Sequence, residues 1–243
     1  ELGTLNLELM PMSEALEKVS GIVELPIFPL PLVLLPNEIL PLHIFEPRYR
    51  QMLVDAKAAE NIFGVSFFDN EVDFEKPAVG SLGCAAEIRA LQELPDGRSN
   101  ILTGGLVRYR ILDYVDQGTP YLTAEVGFFE DEPESADTVA GIADEVYLLF
   151  ERIAKAAFKM SGHRGQYPEV PKTSPETLSF LVTAAFNLEN QLKYSLLEMT
   201  ATSKRLERLK GILVQAVRQI EDSADIHSLS GANGHSKKKL DLD

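Results

Sequence analysis

Five prolines within residues 25–45 constrain the fold of this chain more than any other feature of its sequence. An internal proline removes an amide donor and clashes with the preceding helical turn, so this stretch cannot form a long helix. Its short aliphatic runs instead predict two bent strands on either side of a turn. Beyond Phe45 the apolar residues follow a helical period, and Pro47 suits the first helical position. The expected unit is strand, turn, strand and helix, and its first part contains Pro26, Pro29, Pro31, Pro36 and Pro41.

Further apolar runs predict more strands before the chain reaches its acidic middle section. The Asp96-Gly97 pair between two of these runs is a strong hairpin-turn signal. The last run alternates apolar and polar side chains, which is typical of a half-buried strand. About six or seven short strands with one early helix predict a twisted, partly closed antiparallel sheet. The additional strand candidates cover residues 61–68, 79–94, 101–115 and 121–129.

An acidic, proline-containing stretch at residues 130–137 marks a change from strand patterns to helical ones. Residues 138–160 have helical periodicity, and Ser174-Pro175 supplies a cap and a first-turn proline for another helix. One long last helix is expected from about residue 189 to about residue 220. Polar residues interrupt its apolar stripe, which favours packing in a helical bundle over a coiled-coil dimer.

The expected organisation has four parts. Residues 1–21 are predicted to be a flexible arm, although their apolar spacing would equally allow docking on the body. Residues 22–133 form the β-rich part, and residues 134–221 form the helical part. The polar stretch at residues 222–243 is predicted to be a disordered tail.

Charge and composition restrict the classes of partner. The formal net charge is −14, and a surface this acidic repels nucleic-acid phosphates and anionic membranes. The single cysteine, Cys84, excludes an intramolecular disulfide and fits a reducing compartment. Neither a membrane-length apolar run nor a secretion signal is recognisable in the sequence. We expect a soluble, cytoplasmic protein, with a plastid or another organelle left open because residue 1 is Glu.

Motifs for catalysis and for metal or cofactor binding are missing from the sequence. It contains neither the GxxxxGK[ST] phosphate loop nor a Gly-x-Ser-x-Gly elbow. Four scattered histidines and one cysteine do not form a metal-ligand pattern, and His43 is interpreted as a structural side chain. Gly104-Gly105 precedes a strand pattern, which indicates a bulge or a close backbone approach. We therefore expect no enzymatic activity, no metal and no cofactor.

Several strings occur in an order that resembles a known family. They are LPLHIFEPRYRQML, FGVSFF, DGRSNILTGGLVRYRI and PYLTAEV, and the likeness runs from about residue 25 to about residue 213. The series is similar to the Lon N-terminal domain, or LON substrate-binding domain, and IFEPRYR is its most specific part. The chain looks like a free-standing member without the ATPase and peptidase parts. The resemblance implies an α+β fold with a PUA-like β pseudo-barrel followed by a helical bundle.

The resemblance also implies a non-catalytic module that recognises unfolded or degron-bearing polypeptides, as an adaptor in protein quality control or proteolysis and in some cases with a separate protease. Alternatives are a small-molecule or RNA-binding PUA-like protein and an accessory subunit of an ATP-dependent peptidase. The oligomeric state stays open between a monomer and a weak dimer. Candidate apolar contacts, each of which would equally suit the core, are Leu30, Leu32, Val33, Phe67 and Phe68.

The IFEPRYR string is interpreted as a structural motif rather than a binding site. Glu46 could cap the helix that starts at Pro47, and an arginine one or two turns on could hold the corner between strand and helix through a charge-assisted hydrogen bond. Farther on, Arg108 and Arg110 share a strand face, where salt bridges to acidic residues are favoured over binding of an anion or a peptide carboxylate. The residues of the structural motif are Glu46, Pro47, Arg48, Tyr49 and Arg50.

Overall fold

The computed structural model describes residues 13–69, 76–160 and 172–232, which contain six strands and six helices. Among them, one compact unit comprises the residues up to Asp131 together with 183–200. A second unit comprises the residues from Glu132 to Val182 and from Ala201 onward. In chain order the elements are α1 (Glu14–Lys18), β1 (Glu24–Leu30), β2 (Ile39–Ile44), α2 (Pro47–Ala58), β3 (Ile62–Phe67), β4 (Leu82–Glu93), β5 (Ser99–Val115), β6 (Leu122–Phe129), α3 (Ala136–Met160), α4 (Pro175–Ala185), α5 (Asn190–Glu198) and α6 (Thr202–Ala232).

The six strands of the first unit form one mixed sheet in the order β2-β5-β4-β3-β1-β6, and β5 also pairs with β6. Five strands therefore close into a ring, and β2 extends the sheet from β5. Closure depends on the length of β5, because its 17 residues pair first with β2 and later with β6. The result confirms the predicted α+β class with a β-rich pseudo-barrel. The expectation of an antiparallel sheet is wrong for one pair of strands, because β1 and β3 are parallel. The intervening β2 and α2 provide the crossover that a parallel pair requires.

Buried side chains form two clusters in this unit. One surrounds Phe28 and Phe63 and includes the apolar face of α2, on which Tyr49, Met52, Leu53 and Ala56 are buried. The other surrounds Tyr109, whose hydroxyl lies 2.7 Å from the Ser66 hydroxyl. Burial raises the pKa of Tyr109, so this phenol remains a neutral hydrogen-bonding group in the core.

The turn between β1 and β2 lies against β5. The Glu38 carboxylate accepts a hydrogen bond from the Leu35 amide at 3.0 Å, and burial raises the pKa of Glu38 although this bond opposes the shift. The Gly105 amide donates to the Glu38 carbonyl at 2.9 Å, and the Asn37 amide donates to the Gly105 carbonyl at 3.0 Å. A Cβ at Gly105 would overlap the Leu35 carbonyl. The close backbone approach expected for Gly104-Gly105 is therefore present at Gly105.

Helix α5 belongs to the first unit, so the helical region does not form one uninterrupted part from residue 134 to residue 221. The buried Arg108 guanidinium donates to the Leu197 carbonyl at 3.0 Å and to the Met199 carbonyl at 2.7 Å. It also pairs with Asp131 at 2.5 Å, as the salt-bridge interpretation of Arg108 expected. Charge-assisted bonds to carbonyls at a helix end stabilise that end.

The prediction of a single last helix from about residue 189 is wrong in one respect. The region contains two helices, because α5 ends at Glu198 and α6 begins at Thr202. The backbone at Met199 is extended, with φ −65° and ψ 127°. The Met199 carbonyl accepts a hydrogen bond from the Arg108 side chain of β5 instead of from a helix amide. A periodic apolar stripe does not reveal such a break, since the stripe resumes in α6.

The two ends of the described chain also differ from the expected arm and tail. Residues 13–21 contain the short helix α1, whose Leu16 amide donates to the Ser13 hydroxyl at 3.1 Å, and Val19 is buried. Residues 13–21 therefore pack on the body of the first unit, which is the alternative that the sequence left open. Helix α6 continues to Ala232, beyond the expected start of the tail at residue 222. Residues 1–12 of the arm and 233–243 of the tail lie outside the described residues.

In the second unit the long helices α3 and α6 pack against each other. Within it, the buried Arg205 donates to the Ser179 hydroxyl at 2.7 Å, and its guanidinium lies 4.0 Å from the centre of the Phe180 ring. The Glu134 carboxylate accepts from the Ser203 amide at 2.9 Å near the start of α6. A helical second part, as predicted, is present.

Candidate functional site

The first unit contains a depression of about 730 Å³, here called the aromatic groove. It lies between the ends of β1 and β2, the start of α2 and the loop before β6. Its size falls within the range of about 300–1,000 Å³ that is usual for ligand pockets. The lining residues are Phe28, Pro29, Leu30, Pro31, Leu42, His43, Phe45, Glu46, Arg48, Tyr49, Phe68, Thr119, Pro120, Tyr121 and Leu122.

The aromatic groove is anchored in the core by packed aromatic rings. The centre of the Phe28 ring lies 4.2 Å from that of Tyr49 and 6.2 Å from that of Phe63. Tyr49 comes from the buried face of α2, and its burial raises the pKa of its hydroxyl. Because these rings belong to the main buried cluster, the groove is largely formed before any ligand arrives.

Charge in the aromatic groove is neutralised locally. Glu46 and Arg48 form an ion pair at 2.8 Å, and the Arg48 guanidinium lies 4.5 Å from the centre of the Tyr49 ring. At the strand-helix corner the hydrogen bond joins Glu46 to Arg48, only two residues on, rather than to an arginine one or two turns away as expected. Pro47 occupies the expected position at the start of α2. The Glu46 side chain makes no capping hydrogen bond to α2, because it pairs with Arg48 instead.

Phe45 is the most exposed aromatic side chain of the groove, with 58% of its surface accessible. It follows the buried Ile44 at the end of β2, and strand alternation turns it outward. Its ring stacks against His43 at 6.0 Å, and His43 lies 2.7 Å from the Asn100 side chain. An exposed phenylalanine beside a preformed groove is a surface that apolar ligands can cover.

Tyr121, in the loop before β6, also lines the aromatic groove. Its hydroxyl donates to the Asp55 carboxylate at 2.8 Å, which ties the loop before β6 to α2. Burial and the neighbouring Asp55 carboxylate raise the pKa of Tyr121 to about 12. The phenol is therefore neutral and able to donate throughout the physiological range.

The five apolar candidates from the sequence are only partly brought together. Leu30 and Phe68 line the aromatic groove. Val33 is buried, and Leu32 packs against the cluster around Phe28 and Phe63 outside the groove lining. Phe67 points elsewhere, with its ring 6.1 Å from that of Tyr194. Whether any of the five contacts a ligand stays a prediction.

Sequence reasoning missed Phe45, His43, Pro120 and Tyr121 as groove residues. The alternation that buries Ile44 could have identified Phe45 as outward-facing at a strand-helix boundary. Nothing in the local sequence connects Tyr121 with residues 28–31. Their proximity depends on the pairing of β1 with β6, in which Ile27 is opposite Leu122.

A second depression of about 580 Å³, here called the basic cleft, lies between α2 and the β4–β5 hairpin. Lys57 pairs with Glu93 at 3.4 Å, and Arg98 pairs with Asp96 at 2.6 Å. Arg50 also reaches the cleft, next to the hairpin turn at Gly97. The lining residues are Pro47, Arg50, Gln51, Leu53, Val54, Lys57, Leu91, Glu93, Leu94, Gly97, Arg98 and Ser99.

The described residues contain no cluster of histidine, cysteine or carboxylate side chains that could hold a metal ion. In the same part of the chain, no helix is long and apolar enough to cross a membrane. Burial raises the pKa of the Cys84 thiol, so this cysteine is a packing residue rather than a nucleophile.

Comparison with known proteins matches residues 24–215 to the family model of the ATP-dependent protease La (LON) substrate-binding domain. A Lon protease of Flavobacterium johnsoniae is 29% identical over 236 residues, which cover 91% of this chain and 26% of that protein. Lon protease 1 of Thermus thermophilus is 30% identical over 207 residues, covering 82% and 25%. The chain thus spans about a quarter of the length of these curated relatives.

Two solved structures have a similar fold. A Lon N-terminal domain protein from Xanthomonas campestris aligns with a TM-score of 0.57 at 25% identity, covering 77% of this chain and 97% of that one. The N-terminal domain of a Mycobacterium avium complex Lon protease aligns with a TM-score of 0.58 at 19% identity, covering 79% and 98%. The second likeness concerns the fold alone.

Proposed function

Because the chain belongs to the family of LON substrate-binding domains, we propose that it is a non-catalytic module that binds unfolded or degron-bearing polypeptides. The observation that carries this proposal is the aromatic groove with the exposed Phe45 at its edge. In this role the protein acts as an adaptor in protein quality control, presenting clients to a separate protease.

The proposed ligand is an extended segment with apolar side chains. Proline, leucine and aromatic residues form most of the groove, and the Glu46–Arg48 pair leaves no net charge from these two side chains. Apolar burial contributes about 25 cal/mol per Å², so a segment of a few residues binds weakly and reversibly. Weak capture suits a protein that must release its clients.

Packing in the groove is favoured over addition of a strand to β2. Within the described sheet β2 pairs only with β5, which leaves its other side open. Pro41 lies in the middle of β2 and is exposed. Because proline has no amide donor, it weakens any ladder that an incoming strand could form.

The acidic surface selects among clients. A formal net charge of −14 attracts polypeptides with basic residues outside the bound segment and repels acidic ones. It also disfavours RNA, the ligand of the alternative interpretation. Raising the salt concentration should weaken the contribution of this long-range attraction while leaving the apolar contacts intact.

The proposal is tested by hydrogen exchange and by titration with a reduced, carbamidomethylated protein as a permanently unfolded client. We expect protection in residues 28–31, 42–49 and 119–122. Phe45→Asn should weaken binding by about tenfold, which corresponds to ~1.4 kcal/mol of lost apolar contact. Val79→Asn is the matched control, since Val79 is 57% exposed and does not line the groove.

Two results would contradict the proposed site. One is client binding without protection of the groove segments, and the other is an equal loss for the Phe45 and Val79 variants. The non-catalytic role has its own test, in which casein incubated with the protein, with or without ATP, should remain intact.

A further inference from the structure

We propose that the basic cleft binds the C-terminal carboxylate of a client peptide whose last residue is apolar. The ligand class rests on the proposed function, while the site is separate from the aromatic groove. Helix α2 contributes one face to the cleft, with Pro47, Arg50, Val54 and Lys57 spaced three or four residues apart. Gln51 lies next to Arg50 on this face.

The floor of the basic cleft is apolar. Leu53 is buried beneath it, and Leu91 and Leu94 of the β4–β5 hairpin are half-buried. Val54 is 60% exposed at the side of α2. An aliphatic side chain of a ligand could therefore lie on leucine and valine within reach of the surrounding cations.

The lining has an excess of positive charge in a strongly acidic protein. Three cations, Arg50, Lys57 and Arg98, face one carboxylate, that of Glu93. Lys57 and Arg98 have acidic partners, as described above. Among the described residues, the Arg50 guanidinium has neither an ion pair nor a side-chain hydrogen bond. Its donors are therefore available to an anion.

Gly97 leaves space for this guanidinium. It has φ +79° in the hairpin turn, and its amide donates to the Leu94 carbonyl at 2.9 Å. A Cβ at this position would overlap the end of the Arg50 side chain. The glycine turn thus lets Arg50 rest against the hairpin backbone at the side of the apolar floor.

A peptide C-terminus matches this arrangement better than other anions do. The planar guanidinium binds one carboxylate through two parallel hydrogen bonds. In a C-terminal apolar residue, the carboxylate and the hydrocarbon side chain are attached to the same Cα. An internal acidic residue has a charged side chain and no apolar group of its own, so it would leave the leucine floor uncovered.

The test is titration of the full chain with three fluorescein-labelled hexapeptides that differ only in the C-terminal group or in one internal residue. The first ends in leucine with a free carboxylate, the second is its amide, and the third is an amide with an internal aspartate. We expect the free acid to bind about tenfold more tightly than either amide, the difference typical of a charge-assisted contact. Arg50→Gln should reduce the affinity for the acid to that for the amide.

Arg89→Gln is the matched control, because Arg89 is an exposed arginine of β4 that does not line the cleft. It should retain the preference for the acid, and urea unfolding should show that both variants are folded. Equal binding of acid and amide, or an unchanged preference in Arg50→Gln, would overturn the inference. Tight binding of the internal-aspartate amide would instead assign the cleft to acidic side chains.

Failure of this inference is distinguishable from failure of the proposed function. If the unfolded client still protects the aromatic groove while acid and amide bind equally, only the carboxylate site is lost. If neither the unfolded client nor any hexapeptide binds, the proposed function itself fails.

Discussion

The aromatic groove and the basic cleft are both lined by helix α2, but Arg48 at the groove is paired with a carboxylate and, among the described residues, Arg50 at the cleft is not. In the groove, Arg48 is paired with Glu46 and lies over the Tyr49 ring. In the cleft, Arg50 lies beside Gly97 with its donors available. Successive residues of an α-helix are about 100° apart, so Arg48, Tyr49 and Arg50 point to the groove, the core and the cleft. Three neighbouring residues of one motif therefore have three different surroundings.

The largest expected effect comes from removing the residue that supports both sites. Tyr49→Ala should destabilise the protein by about 3–5 kcal/mol, the usual loss for a buried aromatic side chain. Because Tyr49 holds α2 against Phe28, client binding in the groove and carboxylate binding in the cleft should both weaken. Urea unfolding and the two titrations measure this, with Tyr49→Phe as the control that keeps the ring. Loss of binding at only one site would show that α2 does not couple them.

An intermediate effect should separate the two sites. Gly97→Ala places a side chain at φ +79°, which should lower the free energy of unfolding by about 1–2 kcal/mol. The new methyl group should also displace the Arg50 guanidinium. Gly118→Ala is a matched control, because Gly118 has φ +68° and open space around its Cβ position. Both variants should lose similar stability in urea, but only Gly97→Ala should lose the preference for a peptide acid over its amide. An equal loss of that preference in both variants would contradict the role of Gly97.

The smallest effect concerns alkaline pH and the groove. The pKa of Tyr121 is raised from its ordinary value of 10.0 to about 12, so the folded state favours the protonated phenol. Its stabilising contribution is complete below pH 10 and is lost as the pH rises from 10 to 12. Tyr121→Phe should therefore lower the free energy of unfolding by about 1 kcal/mol at pH 8, the value of one partly exposed hydrogen bond. At pH 11 the loss should be smaller. A difference in urea stability that is the same at pH 8 and pH 11 would exclude this linkage.

Local patterns predicted much of the fold. The proline-rich stretch, the start of α2 at Pro47 and the Asp96-Gly97 hairpin depend on neighbours in sequence, and all are present. The parallel pairing of β1 with β3 and the closure through β5 depend on strands that are far apart in sequence. Periodicity carries no information about such pairings, which is why a purely antiparallel sheet was expected.

The two sites were less predictable for the same reason. Leu30 and Phe68 were recognised as apolar candidates, but Tyr121 reaches the groove only through sheet closure. Arg50 was interpreted as part of a structural motif because the sequence does not show which arginine takes Glu46 as its partner. Distances between side chains assign Arg48 to that pair and leave Arg50 for the cleft.

The bonds between Arg108 and α5 have a consequence for synthesis on the ribosome. Arg108 is made with the β-rich part of the chain, whereas the Leu197 and Met199 carbonyls follow 89 and 91 residues later. The intervening helices must therefore leave the exit tunnel before this buried cation has all of these acceptors. Domains usually fold as contiguous pieces in order of synthesis. Here the N-terminal unit completes the hydrogen bonds of Arg108 only after residues 132–182 of the second unit have been translated.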